Sequence, residues 1–358
     1  MSRRTGSVLT RPLARLLVTV ALILPLAACS TGPADSASDA GTASDAAGTE
    51  PGAFPVTIEH AFGTTTIERE PKRAATVSWV NADTALALGV VPVGVPEIVF
   101  GDNAAKSTPW TDAALKRLGA SWGTPDAPAQ YSEVDGINYI AIAKTSPDVI
   151  LAAYSGLTKE EYTKLSKIAP VVAYPELAYG TPWEESTTLI GKALGREEQA
   201  LDLVRSTKQR IADQAAKYPQ IKGKSFIYAN LDPAAADSVA LYTAIDNRPR
   251  LLTSLGMTQA PVVTANTKGN RSFFIPWSAE RADELRADVL VTWVPDEKTE
   301  SRIASDPLLG QIPVIRRGSW VADSDNTLTL AVSAASALSL PWALDRFLPQ
   351  LGAAADKS

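Results

Sequence analysis

The sequence predicts an α/β chain of two lobes, each built on a parallel sheet and joined to the other by one long helix. Three observations carry the prediction. First, Pro147-Asp148-Val149-Ile150-Leu151 leads a buried strand toward Tyr154, and Asp288-Val289-Leu290-Val291-Thr292 repeats that grammar toward Trp293. A short apolar run that follows a turn signal and ends at an aromatic fits a strand buried on both faces. Second, the elements around the two copies keep one order. A strand at 75–79 and a helix ending in Leu88-Gly89 precede the first copy; a strand at 225–229 and a helix ending in Leu255-Gly256 precede the second. A recurrence of about 140 residues is the size of a domain and too long for a solenoid unit. Third, residues 183–218 place Leu189, Ile190, Ala193, Leu194, Leu201, Val204 and Ile211 at helical spacing between the copies.

Taken in order, residues 1–28 carry Arg3, Arg4, Arg11 and Arg15 and then an apolar core at 16–24, too short to span a bilayer, and read as a signal peptide. Leu26-Ala27-Ala28-Cys29 looks like a bacterial lipobox, with Cys29 as the lipidated residue. Ser2-Arg3-Arg4 leaves Sec and twin-arginine export both open. Residues 29–53 contain the lipidated Cys and a Ser/Ala/Gly/Thr/Asp-rich tether without an aromatic. As a flexible coil the tether spans roughly 25 to 30 Å.

Residues 54–182 form the predicted N-terminal lobe. It opens with a hairpin turning at Gly63, a buried strand near Ala74 and a helix from Asn81 stopped by Gly89. A second strand follows at 90–95, then an irregular segment holding Trp110 and Trp122, then a short helix at 137–144 that delivers the Pro147-Asp148 strand. Residues 183–220 are the linker helix, on the order of 50 Å long if continuous, weakened by Gly191 and Gly195. Residues 221–358 form the C-terminal lobe. It holds the strand at 225–229, a polar loop at 231–237, a helix opened by Asn247-Arg248-Pro249-Arg250, a helix with Ser278 as N-cap, the echo strand and a closing helix at 331–348.

Composition narrows the chemistry. The chain has one Cys and one His, so neither an internal disulfide nor a Cys/His metal cage is available. His60 sits in an alternating segment and reads as structural. The formal charge is −5, and without the four leader arginines −9, which argues against nucleic acid as a partner. No Gly-x-Ser-x-Gly elbow, P-loop or dinucleotide fingerprint occurs, so an enzyme is not expected. A lipid-anchored hydrolytic enzyme is the alternative of another class.

In α/β lobes ligands lie beyond the carboxyl ends of the parallel strands. Those ends are aromatic: Trp79, Tyr154, Tyr228 and Trp293, joined by Tyr179, Trp183, Phe274 and Trp277 on loops. Such a cleft suits a broad, partly apolar molecule, with Arg248, Arg250 or Arg271 to neutralise oxygen anions.

The segment from His60 to Ile67, Pro71-Lys72-Arg73, the Ala-Leu-Gly-Val-Val-Pro-Val-Gly-Val run at 87–95, the Pro147-Asp148 strand and Tyr154-Ser155-Gly156-Leu157-Thr158 resemble the iron-siderophore substrate-binding lipoproteins of ABC importers. The resemblance covers nearly all of the mature chain. It implies two Rossmann-like α/β lobes joined by one long linker helix, with an Fe(III)-siderophore complex as ligand, no cofactor, no protein ligand to the metal and no catalysis. It implies as partners an ABC permease and its ATPase, a monomeric state, and an extracytoplasmic location anchored by lipid to the outer face of the cell membrane. Cobalamin and haem are the alternative ligands on this fold. The ligand-facing positions carried over are Trp79, Tyr154, Ser155, Phe274 and Trp293. For permease docking, Ser278-Ala279-Glu280 matches the second-lobe motif, whereas the expected first-lobe Glu falls on Ile140, leaving either Glu133 or Asp135 in its place or an asymmetric docking.

Overall fold

The computed structural model describes residues 48–234, 238–269 and 271–358. The signal peptide, Cys29, the tether up to residue 47 and the end of the polar loop at 235–237 lie outside the described residues.

The first lobe opens with an antiparallel hairpin, β1 (Val56–His60) and β2 (Gly63–Ile67), turning at Gly63 with φ 126°. His60 is buried here. Its Nδ1 accepts from the Phe62 amide at 3.2 Å while Nε2 meets Thr65 Oγ1 at 2.9 Å, a structural role. There follow β3 (Ala74–Thr76), α1 (Asn81–Ala87), β4 (Gly94–Pro96), α2 (Pro109–Arg117), β5 (Ala129–Tyr131), α3 (Tyr139–Lys144), β6 (Val149–Ala152), α4 (Lys159–Leu165) and β7 (Val171–Ala173). The strands form a fully parallel sheet in the order β5-β4-β3-β6-β7. The segment read as irregular around Trp110 holds α2 and β5; Thr108 caps α2 and Pro109 starts it, signals hidden among prolines.

The predicted single linker helix is two helices, α5 (Trp183–Ala193) and α6 (Glu197–Ala215). Gly195 takes φ +67° and the Arg196 amide returns to the Gly191 carbonyl at 2.8 Å, which ends α5 as a glycine C-cap does. Gly191 is needed for packing, since a Cβ there would lie 2.3 Å from the Ala200 methyl on α6. Helix α5 therefore belongs to the first-lobe core, with Ile190, Ala193 and Leu194 against Ile58, Leu88 and Val149. The crossing is left to α6, about 28 Å long at 1.5 Å per residue. Its Ala200 sits in the first-lobe core and its Ile211 in the core of the second.

The second lobe runs β8 (Ser225–Asn230), β9 (Ser238–Tyr242), α7 (Asn247–Ser254), β10 (Thr258–Gln259), α8 (Pro261–Asn266), β11 (Phe274–Ser278), β12 (Val289–Trp293), α9 (Glu297–Ser305), α10 (Pro313–Arg317), β13 (Trp320–Asp323), α11 (Asn326–Ser333) and α12 (Ser339–Ala355). The sheet order is β11-β9-β8-β12-β13, with β10 along the start of β8. It is mixed: β9 is antiparallel to both β8 and β11. Ser278 ends β11 and starts a 3-10 turn at Ala279–Glu284 without a side-chain cap, so the expected helix there is absent. The closing helix is likewise two, parted where Ser339 Oγ donates to the Ala331 carbonyl at 2.9 Å.

The twin strands are twins in mechanism. Asp148 accepts the amides of Lys72 and Arg73 at 2.8 and 2.9 Å, just ahead of β3. Asp288 accepts the Ser225 amide at 2.7 Å and its hydroxyl at 2.8 Å, at the head of β8. In each lobe the carboxylate before one strand ties down the start of its neighbour, and the apolar run behind it is buried throughout. The lobes also share a core: Val80, Trp110, Tyr154 and Trp183 pack in one cluster with Phe226, Leu328 and Phe347. At its base, buried Asp83 accepts from Trp110 Nε1 at 2.7 Å, Thr111 Oγ1 at 2.9 Å and, across the lobes, Ser336 Oγ at 2.8 Å.

Candidate functional site

The carboxyl ends of β3 and β6 face those of β8 and β12 across a cleft of about 430 Å³. That is within the range of small-molecule sites.

The first-lobe wall is Trp79, Tyr154 and Tyr179, with Phe100 reaching over from the loop after β4. Trp79 stands between Ser78 at φ 60° and Val80 at φ 52°, and Tyr179 itself is at φ 54°. Left-handed backbone at bulky or β-branched residues is costly and must be held by surroundings. Buried Asn81 does this, its amide nitrogen donating to the carbonyls of Val77 (2.8 Å), Trp79 (2.9 Å) and Tyr154 (2.9 Å). Its Oδ1 accepts from the Tyr154 amide at 3.1 Å. The Tyr179 amide donates to the Ser155 carbonyl at 2.9 Å, and its ring lies so close over Gly156 that a Cβ there would meet it at 2.3 Å. Tyr179 meets Tyr154 edge-on at 5.8 Å and Trp79 at 6.1 Å between centroids.

The second-lobe wall is Tyr228, Tyr242, Phe273 and Trp293 with Arg248 and Asp246. Asp246 caps α7 through the Arg248 amide at 2.9 Å and binds the guanidinium of the same residue through both carboxylate oxygens, at 2.7 and 2.6 Å. The guanidinium lies 3.4 Å from the Tyr242 ring centroid. Burial opposes the charge on Arg248, but the two bonds to Asp246 outweigh it and hold the side chain above its ordinary value. Burial pushes the Tyr154 and Tyr228 hydroxyls up, so both are neutral phenols that can donate or accept. Trp293 is fixed by Nε1 donating to Asn326 Oδ1 at 2.8 Å and by Phe100, edge-on at 5.9 Å. Thr329, Leu330 and Ser333 of α11 complete the floor. The lobes meet at the rim too: Thr327 Oγ1 donates to the Gly101 carbonyl at 3.0 Å, and Arg250 to the Gly180 carbonyl at 2.9 Å.

Of the expected ligand-facing residues, Trp79, Tyr154, Tyr179, Tyr228, Arg248 and Trp293 line the cleft together. Five do not. Ser155 is buried and donates to the Ala152 carbonyl at 2.8 Å. Trp183 is core at the start of α5, and Trp277 is core with Nε1 on the Arg281 carbonyl at 3.0 Å. Arg271 is exposed on the rim in an ion pair with Glu176 at 2.8 Å. Phe274 packs on Phe273 at 5.1 Å, and Phe273, one residue earlier, lines the cavity. Phe100, Tyr242 and Asp246 were not anticipated; a Phe and a Tyr flanking Gly101 and Thr243, short of any recognised strand, carried no periodic signal.

At the positions expected to dock, Glu280 is exposed at the start of the 3-10 turn and Ile140 is 72% exposed. Glu133 is turned inward. Its Oε2 accepts from the Ser78 amide at 3.0 Å, Oε1 is buried without a partner, and burial pushes the carboxyl up to about 7. A carboxylate so placed supports the Trp79 loop and does not project from the surface, whereas Asp135 is exposed. Among the described residues no group of three or more His, Cys, Asp or Glu is placed to hold a metal ion.

Comparison with known proteins places this geometry. A periplasmic binding protein family model matches residues 75–326. The ferric enterobactin-binding periplasmic protein FepB of Escherichia coli is 26% identical over 77% of this chain and 86% of its own. The Fe(3+)-citrate-binding protein YfmC of Bacillus subtilis is 27% identical over 74% and 76%. The structure of Streptococcus pneumoniae PiaA in complex with ferrichrome superposes with a TM-score of 0.78 at 37% identity, covering 84% of this chain and 99% of that one.

Proposed function

The chain belongs to the periplasmic binding protein family, whose members bind substrates and are not enzymes, and from that premise we propose that it captures a ferric siderophore in the interlobe cleft and delivers it to an ABC import permease. The observation that carries the reading is the convergence of aromatic strand ends from both lobes on one cavity of about 430 Å³. Iron arrives already chelated, so the wall needs shape, apolar contact and a few hydrogen-bond donors and no metal ligand of its own. Trp79, Tyr154 and Tyr179 hold one side of the chelate; Tyr228, Tyr242, Phe273 and Trp293 hold the other; Arg248 and the two phenols supply the polar contacts. The shared core and the Asp83–Ser336 bond favour small lobe rocking over wide hinge closure.

The family is extracytoplasmic, and among the described residues no helix is long and apolar enough to cross a membrane. The lipid anchor at Cys29, the monomeric state and the lobe boundaries at 54–182 and 221–358 are part of this proposal. Glu280 on the second lobe and Asp135 on the first are the carboxylates offered to the permease. Titration with ferric hydroxamate, catecholate and citrate chelates beside cobalamin and haem tests the reading, since Trp79 and Trp293 line the cleft and their fluorescence is quenched by a coloured iron complex. Silence across the iron chelates overturns it. Cys29→Ala tests the anchor by moving the protein from membrane to medium.

A further inference from the structure

On the basis of the ferric-siderophore reading, the charges of the cleft decide among chelate classes. Among the described residues that line the cavity, Arg248 and Asp246 are the charged ones. They cancel each other: the pair is bidentate, with contacts of 2.7 and 2.6 Å, and its side chains are only 18% and 8% exposed. Two of the five guanidinium N–H groups are committed to Asp246 and one face of the guanidinium plane is covered by the Tyr242 ring at 3.4 Å. What Arg248 retains for a ligand is hydrogen bonds without uncompensated charge.

Among the described residues, those behind the wall do not supply that charge. Arg250 donates to the Gly180 carbonyl at 2.9 Å and, besides the Asp246 already bound to Arg248, is faced by Glu184 and Glu185. Arg271 on the rim is paired with Glu176. Asp323, which accepts from the lining residue Thr329 at 2.8 Å, adds a carboxyl near Tyr228. The chain as a whole carries a formal charge of −5, a field that slows the approach of anions.

Iron(III) held by three singly charged hydroxamates is neutral. Held by three doubly charged catecholates it is a trianion, and held by two citrates it keeps several negative charges. A polyanion buried against aromatic walls needs cations that are free to meet it, because desolvation of an unpaired charge is expensive. We infer that this cleft selects neutral tris-hydroxamate chelates over catecholate and citrate complexes of iron.

The test is calorimetric titration of the full-length chain in detergent with a ferric tris-hydroxamate, a ferric tris-catecholate and ferric dicitrate. Hydroxamate affinity is expected to exceed the other two by about 100-fold at physiological salt. It should change little as salt is raised, as befits a neutral ligand. Asp246→Asn keeps an acceptor for the α7 cap and leaves Arg248 uncompensated, so the ratio of catecholate to hydroxamate affinity should rise about tenfold. Equal or tighter binding of either anionic chelate by the unaltered chain overturns the charge inference and leaves the siderophore reading standing. Failure to bind any of the three removes the siderophore reading and this inference with it. A steep salt dependence of hydroxamate binding counts against the inference without requiring any variant to fold.

Discussion

The two walls of the cleft begin from the same device and finish by different ones. In both lobes an Asp ahead of a buried strand pins the start of the neighbouring strand, so the scaffolds match. Beyond the strand ends they part. The first wall holds its rings with strained backbone, three left-handed residues and the Asn81 amide that ties two loops together. The second holds its rings with side chains: the Arg248–Asp246 pair, the stacking on Tyr242 and the Asn326 bond to Trp293. The lesson is that a repeated strand pattern transmits architecture, while ring placement is settled locally by chemistry that need not repeat.

The sharpest way to break the first wall is Asn81→Ala. It leaves the carbonyls of Val77 and Tyr154 without the Asn81 donor and the Tyr154 amide without its acceptor, while the Trp79 carbonyl keeps the Asn81 backbone amide at 2.6 Å. Each stranded group costs roughly 1 to 3 kcal/mol, so a loss of about 3 kcal/mol or more is expected in denaturant unfolding. Chelate affinity should fall about 100-fold with it, because Trp79 and Tyr154 lose their common anchor. Ordinary affinity in a destabilised variant would show that the strained loop holds itself.

Glu133 allows the same wall to be examined by pH. Its folded carboxyl is pushed up to about 7 by burial, reinforced by the nearby charge of Glu161 and opposed by the Ser78 amide. The protonated form is therefore favoured by the fold. Its stabilisation is fully present below the unfolded value of about 4.3 and is lost as pH rises through 7. Glu133→Gln mimics the protonated state and should be more stable than the parent by about 2 kcal/mol at pH 8, with little difference at pH 4. An advantage that does not vary with pH would mean that Glu133 is not the titrating group. Asp288 has the opposite sign. Burial raises it, but the Ser225 amide and hydroxyl outweigh burial and hold it low, so its contribution fades only in acid.

The comparison is sharpened by one truncation on each side, Tyr154→Ala and Trp293→Ala. Tyr154 is 5% exposed and part of the shared core, whereas Trp293 is held at the rim by Phe100 and Asn326. Each should weaken chelate binding about tenfold through lost aromatic contact. Only Tyr154→Ala should also lower the unfolding midpoint, since it opens a core cavity. Equal stability losses would make Trp293 as structural as Tyr154.

Much of this was legible in the chain because its causes are local. The Asp-led apolar strands, the Gly63 turn, the Gly89 stop and the strand-end aromatics follow from periodicity and backbone preference. The linker pattern runs on past Gly195 because glycine only marks a place where a helix can break, whereas the φ of +67° that makes it a terminator is a property of the folded backbone. Tyr242 and Phe273 were missed because β9 and β11 form an antiparallel insertion beside a parallel sheet, and the pattern expected of buried strands does not describe them. Trp183 and Trp277 were placed in the cleft because an aromatic at an element boundary looks the same whether it faces a ligand or a core. Asp246, one residue ahead of the expected helix start at Asn247, carries no signal of its own; that it neutralises Arg248 is a matter of side-chain geometry within two residues.

Arg271 shows the limit of reading charge without geometry, and Arg271→Ala should have the smallest effect of all. Its partner Glu176 comes from the other lobe, so the pair at 2.8 Å joins the two walls at the rim. Both side chains are mostly in water, at 67% and 76% exposure. An exposed pair gains little Coulomb energy, loses side-chain entropy and is screened by salt, so it contributes no more than about 0.5 kcal/mol. Chelate affinity at physiological salt should stay within about twofold of the parent. The pair nonetheless spans the mouth, so any effect should appear as faster chelate release at low salt and vanish as salt is added. A tenfold loss of affinity at physiological salt would instead place Arg271 on the ligand, and with it a cation that no carboxylate in the cleft cancels.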